Sequence, residues 1–459
     1  MESVQGNLDM LSNGKIGRLL WNYSLPAVVG MLIMSLYNVV DRIFIGQGVG
    51  TEAIAGLAIT FPVMNIATAL GVLIGAGASA RVSINLGAGD KLGAELTLGN
   101  SLTLIVINAT IYISIFSLFL DDILIAFGAS GATLPYARDF MTYIMPGLFI
   151  MNVGYTFNNI MRASGYPMKA MITMFIGAGC NAALAPVFIF VMHWGIKGAA
   201  IATDISMTIF TIYVMHHFLS SKSNLRFRRG IFRLRRNIVA NIIGIGAAPS
   251  LVNIAGCAIS IIINKNLAYH GGDNAVAAAG IFVTYTSLLT MVVVGLCQGM
   301  QPIIGYNYGA GHLDRLKKTY LLATLWATAV VSAGAIAGLV FPDMIARAFT
   351  TDATLINVTA NAFSIAMCAF FVVGFQIVST TLFQSIGKIW KSIVLSLARQ
   401  VVFLIPFLLL FSHHYKLDGI WAAFPVSDIF ATIVTAVMII IQFRSIRQSV
   451  GNHSVKQHE

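Results

Sequence analysis

Ionisable side chains that lie inside long apolar segments are the most informative residues of this sequence. Of the 17 Asp and Glu residues, Asp41, Asp204 and Asp428 lie well within uncharged runs. An ionised carboxylate in such surroundings costs several kcal/mol unless it is paired, hydrated or protonated. Each of these residues is therefore a candidate for binding a cation or for forming an ion pair.

Asp41 is the strongest candidate for binding H⁺ or Na⁺. Asn38 and Tyr37, three and four positions earlier, share its helical face. The adjacent Arg42 points about 100° away, so it is not an automatic partner. A carboxylate in this position can bind a cation and shift its helix with occupancy. The alternative is an aspartate at the end of a span, solvated at the outer membrane surface.

Asp204 and Asp428 each have a basic residue with which they could pair. Asp204 either joins a cation site with the neighbouring Thr203 or forms a local ion pair with Lys197 near the membrane surface. Asp428 could pair with Arg399, the only basic residue deep in the second half of the chain. We predict a structural salt bridge between Arg399 and Asp428, which could still line a cavity.

The sequence offers no arrangement of residues for covalent catalysis or for a resident metal. A membrane-embedded enzyme would need a paired acid and base or a metal motif such as H-E-x-x-H, and neither is present. The four Cys residues lie at wide spacings inside apolar runs and match no zinc pattern. We therefore expect neither enzymatic activity nor a cofactor.

Long apolar segments must position these side chains. Of the 459 residues, 57% are hydrophobic and 10% are charged, whereas soluble domains average about 25% charged residues. Twelve nearly charge-free runs are long enough for the ~20 residues that cross a bilayer. They lie at about 19–45, 53–80, 96–120, 140–161, 170–192, 198–217, 238–264, 274–306, 319–342, 355–386, 392–411 and 419–443. Because the runs are continuous rather than alternating, they predict an all-α integral membrane protein and exclude a transmembrane barrel.

The loops between the runs explain the net charge of +11. With both termini in the cytoplasm, 21 of the 28 Lys and Arg residues fall on the inner side, as the positive-inside rule requires. This distribution predicts a multi-pass protein of the cytoplasmic (inner) membrane and no nucleic-acid partner. The most basic stretch, 220–237, is predicted to be a cytoplasmic linker that lies against anionic lipid headgroups.

The two halves of the chain resemble each other. Residues 85–89 (NLGAG) recur 222 positions later as 307–311 (NYGAG), and Pro26 has a counterpart in Pro249. Because each half holds six runs, the repeat is parallel, about an axis along the membrane normal. We predict two six-helix bundles that enclose a cleft and rock to give alternating access. The predicted parts are the N-terminal bundle 1–219, the linker 220–237, the C-terminal bundle 238–443 and a polar cytoplasmic tail, 444–459.

These motifs resemble those of the multidrug and toxic compound extrusion (MATE) family over essentially the whole chain. The resemblance is carried by Pro26 with 37–41 (YNVVD), by the turns at 85–89 and 162–165, and by 181–186 and 198–203. It implies export of small amphipathic, often cationic organic compounds, driven by inward H⁺ or Na⁺. The alternative is a lipid-linked oligosaccharide flippase of the same superfamily, which would be expected to have a strongly cationic central cavity.

The resemblance is strongest to the DinF-type branch, and it implies roles for individual residues. In that branch the aspartate of the first helix is the coupling carboxylate, which corresponds to Asp41. Asn181 and Thr203 match the branch's residues in the fifth and sixth helices. The aspartate expected four positions after Asn181 is replaced by Ala185, and Asp204 could supply the missing charge.

Two further features bear on how such a protein would move and bind. Pro26 lacks an amide donor and is a candidate hinge, with a static kink as the alternative. Several polar and flexible side chains could line an adaptable substrate cavity, although helix packing is the better explanation for any single one. They are Tyr37, Asn38, Met34, Met64, Tyr155 and Met161. Nothing in the sequence requires more than a monomer.

Overall fold

The computed structural model describes residues 9–49, 51–220 and 223–455, and within them the side chains other than those at 38, 42, 51–55 and 446–455. The protein is 89% helical, and the described residues contain no strand. The first half forms α1 (Ile16–Gly48), α2 (Thr51–Gly87), α3 (Lys91–Leu118), α4 (Leu120–Ala126), α5 (Leu134–Ala163), α6 (Pro167–Pro186) and α7 (Gly195–Leu219). The second half forms α8 (Arg236–Gly309), α9 (Leu313–Val340), α10 (Pro342–Arg347), α11 (Ala353–Ala366), α12 (Val373–Ser385), α13 (Ile389–Leu397) and α14 (Ile405–Val455).

These helices supply the predicted spans. Among the described residues, eight helical segments are long and apolar enough to cross a membrane, or nine when α11 and α12 count as one bent span. Two of the eight segments double back on themselves, and α5 adds a further helix of 30 residues. Helices form here because every backbone N–H and C=O group must be satisfied within the segment when lipid surrounds it. The prediction of an all-α membrane protein with twelve spans is confirmed.

The 74-residue helix α8 is a hairpin of two spans. A straight helix of that length would extend about 110 Å. Instead, both of its ends meet the end of α2, since a Cβ at Gly77 would lie 1.9 Å from the Ile242 oxygen and one at Gly87 1.9 Å from the Tyr306 oxygen. The chain turns at Gly272, whose φ of 63° is readily adopted by glycine.

The last two spans form a second hairpin. The chain turns at Lys416, which has a non-helical φ of 51° inside α14. Antiparallel pairing of the two arms brings Arg399 to within 2.7 Å of Asp428, and it places the Lys391 ammonium 2.7 Å from the Gln442 side-chain oxygen. The continuous apolar runs on either side of Lys416 therefore act as two spans, as predicted.

The tenth predicted span, 355–386, is not the single straight helix that its apolar run suggests. It is broken between Ala366 and Phe370, and its two segments differ in direction by 56°. No proline lies in this stretch. Hydrophobic character measures only whether a segment can enter lipid, so it carries no signal for such a bend.

Helix α1 packs on both halves of the molecule. Its first turns lie on the second half, where Leu19 and Tyr23 are buried in the core with α8 and α9. Trp21 also contacts Trp326 edge-to-face at 5.9 Å. Its later turns lie on the first half, where Gly30 packs directly on Met174. Pro26 lies between these two regions, within a helix that is continuous from Ile16 to Gly48.

The two halves meet closely at one end of the bundle, where α1 begins and α2 ends; we call this the basal end. Here backbone packs on backbone at Gly77, Gly87, Gly246 and Gly309, each of which would place a Cβ no more than 2.0 Å from an oxygen of the opposite half. Arg162, 3% exposed, adds a hydrogen bond across the halves to Gln298. The other end, which we call the distal end, holds Gly48, Gly272 and Lys416.

The basic linker between the halves is tied to α3. Asn100 donates to the carbonyl groups of Ile231 (3.1 Å) and Arg233 (3.3 Å) and accepts from the Arg235 amide (2.8 Å). Arg228 adds a 2.9 Å ion pair with the buried Glu95. The linker therefore has a fixed path along the basal end of the first half.

Replacing Asn100 with Ala is expected to loosen this linker. The change leaves two carbonyl groups and one amide without their partner, at a cost of about 1–3 kcal/mol for an unsatisfied buried group. The thermal unfolding midpoint of the purified protein in detergent should fall. The matched control is Asn241→Ala, because that amide donates to the Asn237 carbonyl within its own helix. Equal midpoints for the two variants would contradict the structural role of Asn100.

Candidate functional site

A polar cluster joins α1, α6 and α7 inside the first half. The Asn181 amide donates to the Thr203 hydroxyl oxygen at 3.0 Å, and the Tyr37 hydroxyl lies 3.5 Å from the same oxygen. The single proton of the Thr203 hydroxyl is directed at the Ala199 carbonyl, 3.1 Å away. Asn181 and Tyr37 must therefore both donate to Thr203, which leaves the Asn181 amide oxygen directed elsewhere.

Asp41 lies one turn beyond Tyr37 on α1 and interacts with it electrostatically. The residue is half-buried, and one of its carboxylate oxygens is shielded from solvent. The structure thus places this carboxylate next to Tyr37 of the cluster, with one of its two oxygens held away from solvent. This placement agrees with the interpretation of Asp41 as a cation-binding group.

Asp204 follows Thr203 but faces a different helix. Successive residues on a helix point about 100° apart, and the Asp204 carboxylate packs against Gly147 of α5. A Cβ at Gly147 would lie 1.7 Å from Asp204 Oδ1, so only glycine leaves room for it. Tyr37 also interacts electrostatically with Asp204, so both carboxylates, Asp41 and Asp204, lie near the tyrosine.

The alternative of an ion pair between Asp204 and Lys197 is not what the structure shows. Lys197 instead pairs with Asp139 at 3.3 Å, and both side chains are 44% exposed. The reason is geometric, because Lys197 lies at the distal start of α7 whereas Asp204 is two turns deeper. Lys197 therefore does not neutralise Asp204, whose carboxylate can contribute its charge to the polar cluster.

Ala185 lies one turn after Asn181 and is fully buried, without exposed surface. It precedes Pro186 and a five-residue π-helical turn, Val187–Val191, that ends the span. A methyl group here cannot bind a cation. Any second carboxylate of the site must therefore come from another position, and Asp204 interacts with Tyr37 of the cluster.

The residues predicted to line a substrate cavity separate into different environments. The Tyr155 hydroxyl donates to the Met34 sulfur at 3.4 Å, and Tyr155 packs its ring on Phe210. Met64 is half-buried, and its sulfur lies 4.0 Å from the Thr60 hydroxyl. The side chain of Met161 is fully buried in the first-half core, and its predicted place in the cavity stays a prediction. The side chain of Asn38 lies outside the described part of the structure.

In the second half, Arg399 and Asp428 form the predicted pair. The Arg399 Nε lies 2.7 Å from Asp428 Oδ1, and the Asp428 side chain is 4% exposed. Gln376 of α12 donates to the Asp428 carbonyl and to the Thr432 hydroxyl, both at 2.6 Å. Sequence reasoning missed Gln376, and also Gly147, because neutral residues in apolar helices give no signal of their partners.

Replacing Thr203 with Val is expected to weaken transport. The change keeps the side-chain volume but removes the acceptor that Asn181 and Tyr37 share. The lost hydrogen bonds cost about 1–3 kcal/mol, which corresponds to an efflux rate about 5- to 150-fold lower. The measurement is the rate of efflux driven by an imposed cation gradient in proteoliposomes. The control is Thr208→Val, since that hydroxyl donates to the Asp204 carbonyl one turn back on the same helix. Unchanged efflux by the Thr203 variant would exclude this hydroxyl from the site.

Comparison with known proteins agrees with this architecture. The MatE family model matches residues 26–187 and 249–410, so corresponding positions of the two halves differ by 223. The chain is 28% identical to a FAD transporter of Shewanella oneidensis, over 91% of this chain and 93% of that protein. It is 26% identical to the multidrug export protein MepA of Staphylococcus haemolyticus, over 89% of this chain and 90% of that protein.

Solved structures show the same fold. A crystal structure of a MATE protein in the bent conformation superposes with a TM-score of 0.91 and 25% identity, covering 96% of this chain and 98% of that chain. The relatives are transporters, so they favour neither an enzyme nor a flippase. The family model covers most of the chain, in one matched segment of each half. The chain therefore belongs to the MATE family and is a multi-pass membrane efflux transporter.

Proposed function

We propose that this transporter is a cation-coupled antiporter, in which inward movement of H⁺ or Na⁺ through a first-half site drives export of amphipathic, often cationic organic compounds. The observation that carries the proposal is the cluster in which Tyr37, Asn181 and Thr203 join three helices beside Asp41. A site that is shared between helices can change their relative positions when its occupancy changes.

The chemistry of the cluster suits a small cation. Asp41 and Asp204 supply carboxylates, and Asn181 supplies an amide oxygen that the bond to Thr203 does not use. Oxygen ligands of this kind accept a proton or coordinate Na⁺, and a bound cation offsets the cost of holding carboxylates away from water. Because Tyr37 and Asp41 lie on α1, binding and release of the cation would change how α1 packs on its neighbours.

Helix α1 is the element that can transmit this change. Its segment beyond Pro26 carries Tyr37 and Asp41, and its first turns pack on the second half through Leu19 and Tyr23. When the halves rock, α1 must either bend or release one of them. Pro26 lacks the amide that would tie it to the preceding turn, which supports its role as the hinge.

The arrangement of the halves supports an outward-facing state. Basic residues are concentrated in the basal loops, so the positive-inside rule places the basal end in the cytoplasm. The halves are in close contact there through Gly77 and Gly87, which closes the cytoplasmic side. Both termini then lie in the cytoplasm, and Asp41 faces the external side, where a cation enters.

One cation for each substrate molecule is enough to drive export of a substrate without net charge. An elementary charge that crosses about 150 mV releases about 3.5 kcal/mol, from 2.3 kcal/mol for each 100 mV. At about 1.4 kcal/mol for each factor of ten, that supports a concentration ratio of a few hundredfold. For a substrate that carries one positive charge, the exchange moves no net charge, and the concentration gradient of the coupling cation supplies the energy instead. Tyr155 and Met34 offer an aromatic and polarisable surface for organic substrates near the site.

Efflux from proteoliposomes tests the proposal directly. The full-length protein is reconstituted into vesicles with ethidium on the side that corresponds to the cytoplasm. Either a pH gradient or a sodium gradient is then imposed across the membrane. We expect efflux with at least one of the two gradients and only passive leak with neither. Protein-dependent efflux at the same rate with and without both gradients would contradict cation coupling.

A further inference from the structure

We propose that Arg399 is a permanent counter-cation for Asp428 in the second half. Its guanidinium takes the place that an exchangeable cation would otherwise occupy, and so coupling is confined to the first half. The inference rests on the proposed coupling role of the first-half site. It assigns Arg399 a part in deciding how many cations the transporter exchanges.

The pair lies at the second-half counterpart of the contact between α6 and α7. When the repeat offsets of 222 and 223 residues are extended to this span, Asp204 corresponds to Val426 or Ser427, one or two residues before Asp428. Arg399 lies in the span that corresponds to α6 and pairs across to the span that corresponds to α7. Both halves therefore place a carboxylate at the same contact between neighbouring spans.

The neutral groups of the first-half site have no polar counterpart in the second half. At the repeat offsets of 222 and 223 residues, Asn181 corresponds to Phe403 or Leu404, and Thr203 corresponds to Pro425 or Val426. All four of these side chains are apolar, and none of them can coordinate a cation. A carboxylate at this place needs another source of positive charge, because it is 4% exposed.

Arg399 supplies that charge permanently. Its Nε lies 2.7 Å from Asp428 Oδ1, and a guanidinium group is not deprotonated in proteins. Gln376 fixes the backbone at Asp428 by donating to its carbonyl at 2.6 Å. Because the guanidinium is part of the chain, it cannot dissociate as a bound ion can. No other cation can therefore bind Asp428 in any state of the transport cycle in which the pair persists.

Removal of the guanidinium is expected to convert Asp428 into an exchangeable site. In nanodiscs, the full-length Arg399→Gln variant should either bind more radioactive sodium than the wild type or show a protonated carboxyl band in the infrared spectrum that changes with pH. The double variant Arg399→Gln/Asp428→Asn should lose this gain. The matched control is Arg138→Gln, because Arg138 pairs with Asp121 at 3.4 Å on the exposed surface and should show no gain.

The outcomes separate this inference from the proposed function. A gain that depends on Asp428 supports the role of Arg399, whereas no gain by either method, or a gain that persists in the double variant, overturns it. If the single variant does not fold, the charge-neutral double variant decides, since it should keep the wild-type number of cations exchanged for each substrate molecule. A changed number would overturn the inference. Wild-type efflux by Asp41→Asn would refute the coupling site without affecting the readout on Asp428.

Discussion

Replacing Asp41 with Asn is expected to abolish gradient-driven efflux while the protein still inserts and folds. Asn matches the shape of Asp but carries no charge, so it can neither take up a proton nor neutralise Na⁺. Without a bound cation the imposed gradient no longer does work on the transporter. Exchange of one cation for one ethidium cation moves no net charge, so the wild-type ethidium ratio should approach the imposed concentration ratio of the coupling cation. In the variant this ratio should fall to about one. The measurement is ethidium efflux from proteoliposomes under the imposed gradient.

Asp139→Asn is the control for this experiment. Asp139 is an aspartate of the same half, but it is 44% exposed and pairs with Lys197 at the distal surface. Removing an exposed pair changes stability by at most about 1 kcal/mol, so this variant should transport normally. Size-exclusion profiles and helical content identify any variant that fails to fold. Normal efflux by a folded Asp41→Asn protein would remove Asp41 from the mechanism.

Replacing Gly147 with Ala is expected to displace Asp204 and to impair both transport and stability. The new Cβ would lie 1.7 Å from Asp204 Oδ1 and 3.1 Å from the Asp204 Cα. The carboxylate cannot keep its position, and shifting it also moves the backbone of α7. Overpacking of this kind costs about 1–3 kcal/mol. We expect a lower unfolding midpoint in detergent and a reduced efflux rate under an imposed gradient.

Gly179→Ala is the matched control, because a Cβ at this helical glycine of α6 has no heavy atom within 4 Å. Alanine favours a helix over glycine by about 1 kcal/mol, so this variant should be as stable as the wild type or slightly more stable. An unchanged midpoint and efflux rate for Gly147→Ala would show that Asp204 does not require its place against α5.

Much of the fold and of the site could be predicted from local composition and the repeat. Apolar runs of about 20 residues define spans whatever their partners, and Tyr37 and Asp41 share a face because a fixed helical period places them there. Asn181 and Thr203 come together as the family resemblance implied. Each of these predictions depends on properties of one helix or on a known pairing of two.

The features that could not be predicted depend on how helices pack. The contact of Asp204 with Gly147 joins α7 to α5, and glycine in a lipid-embedded helix does not indicate which partner it admits. The division of α1 between the two halves also follows only from packing. The bend between α11 and α12 occurs in an uninterrupted apolar run, where the chain gives no local sign of it.

Bare backbone at the basal end makes the contact between the halves easy to re-form. Glycine has no side-chain rotamers to immobilise, whereas a long side chain loses up to about 2 kcal/mol of entropy when it is fixed. The contacts at Gly77, Gly87, Gly246 and Gly309 thus add no such penalty on each closure. At these four positions, separating and rejoining the halves would neither release nor order a side chain, so this part of the contact would slow neither step.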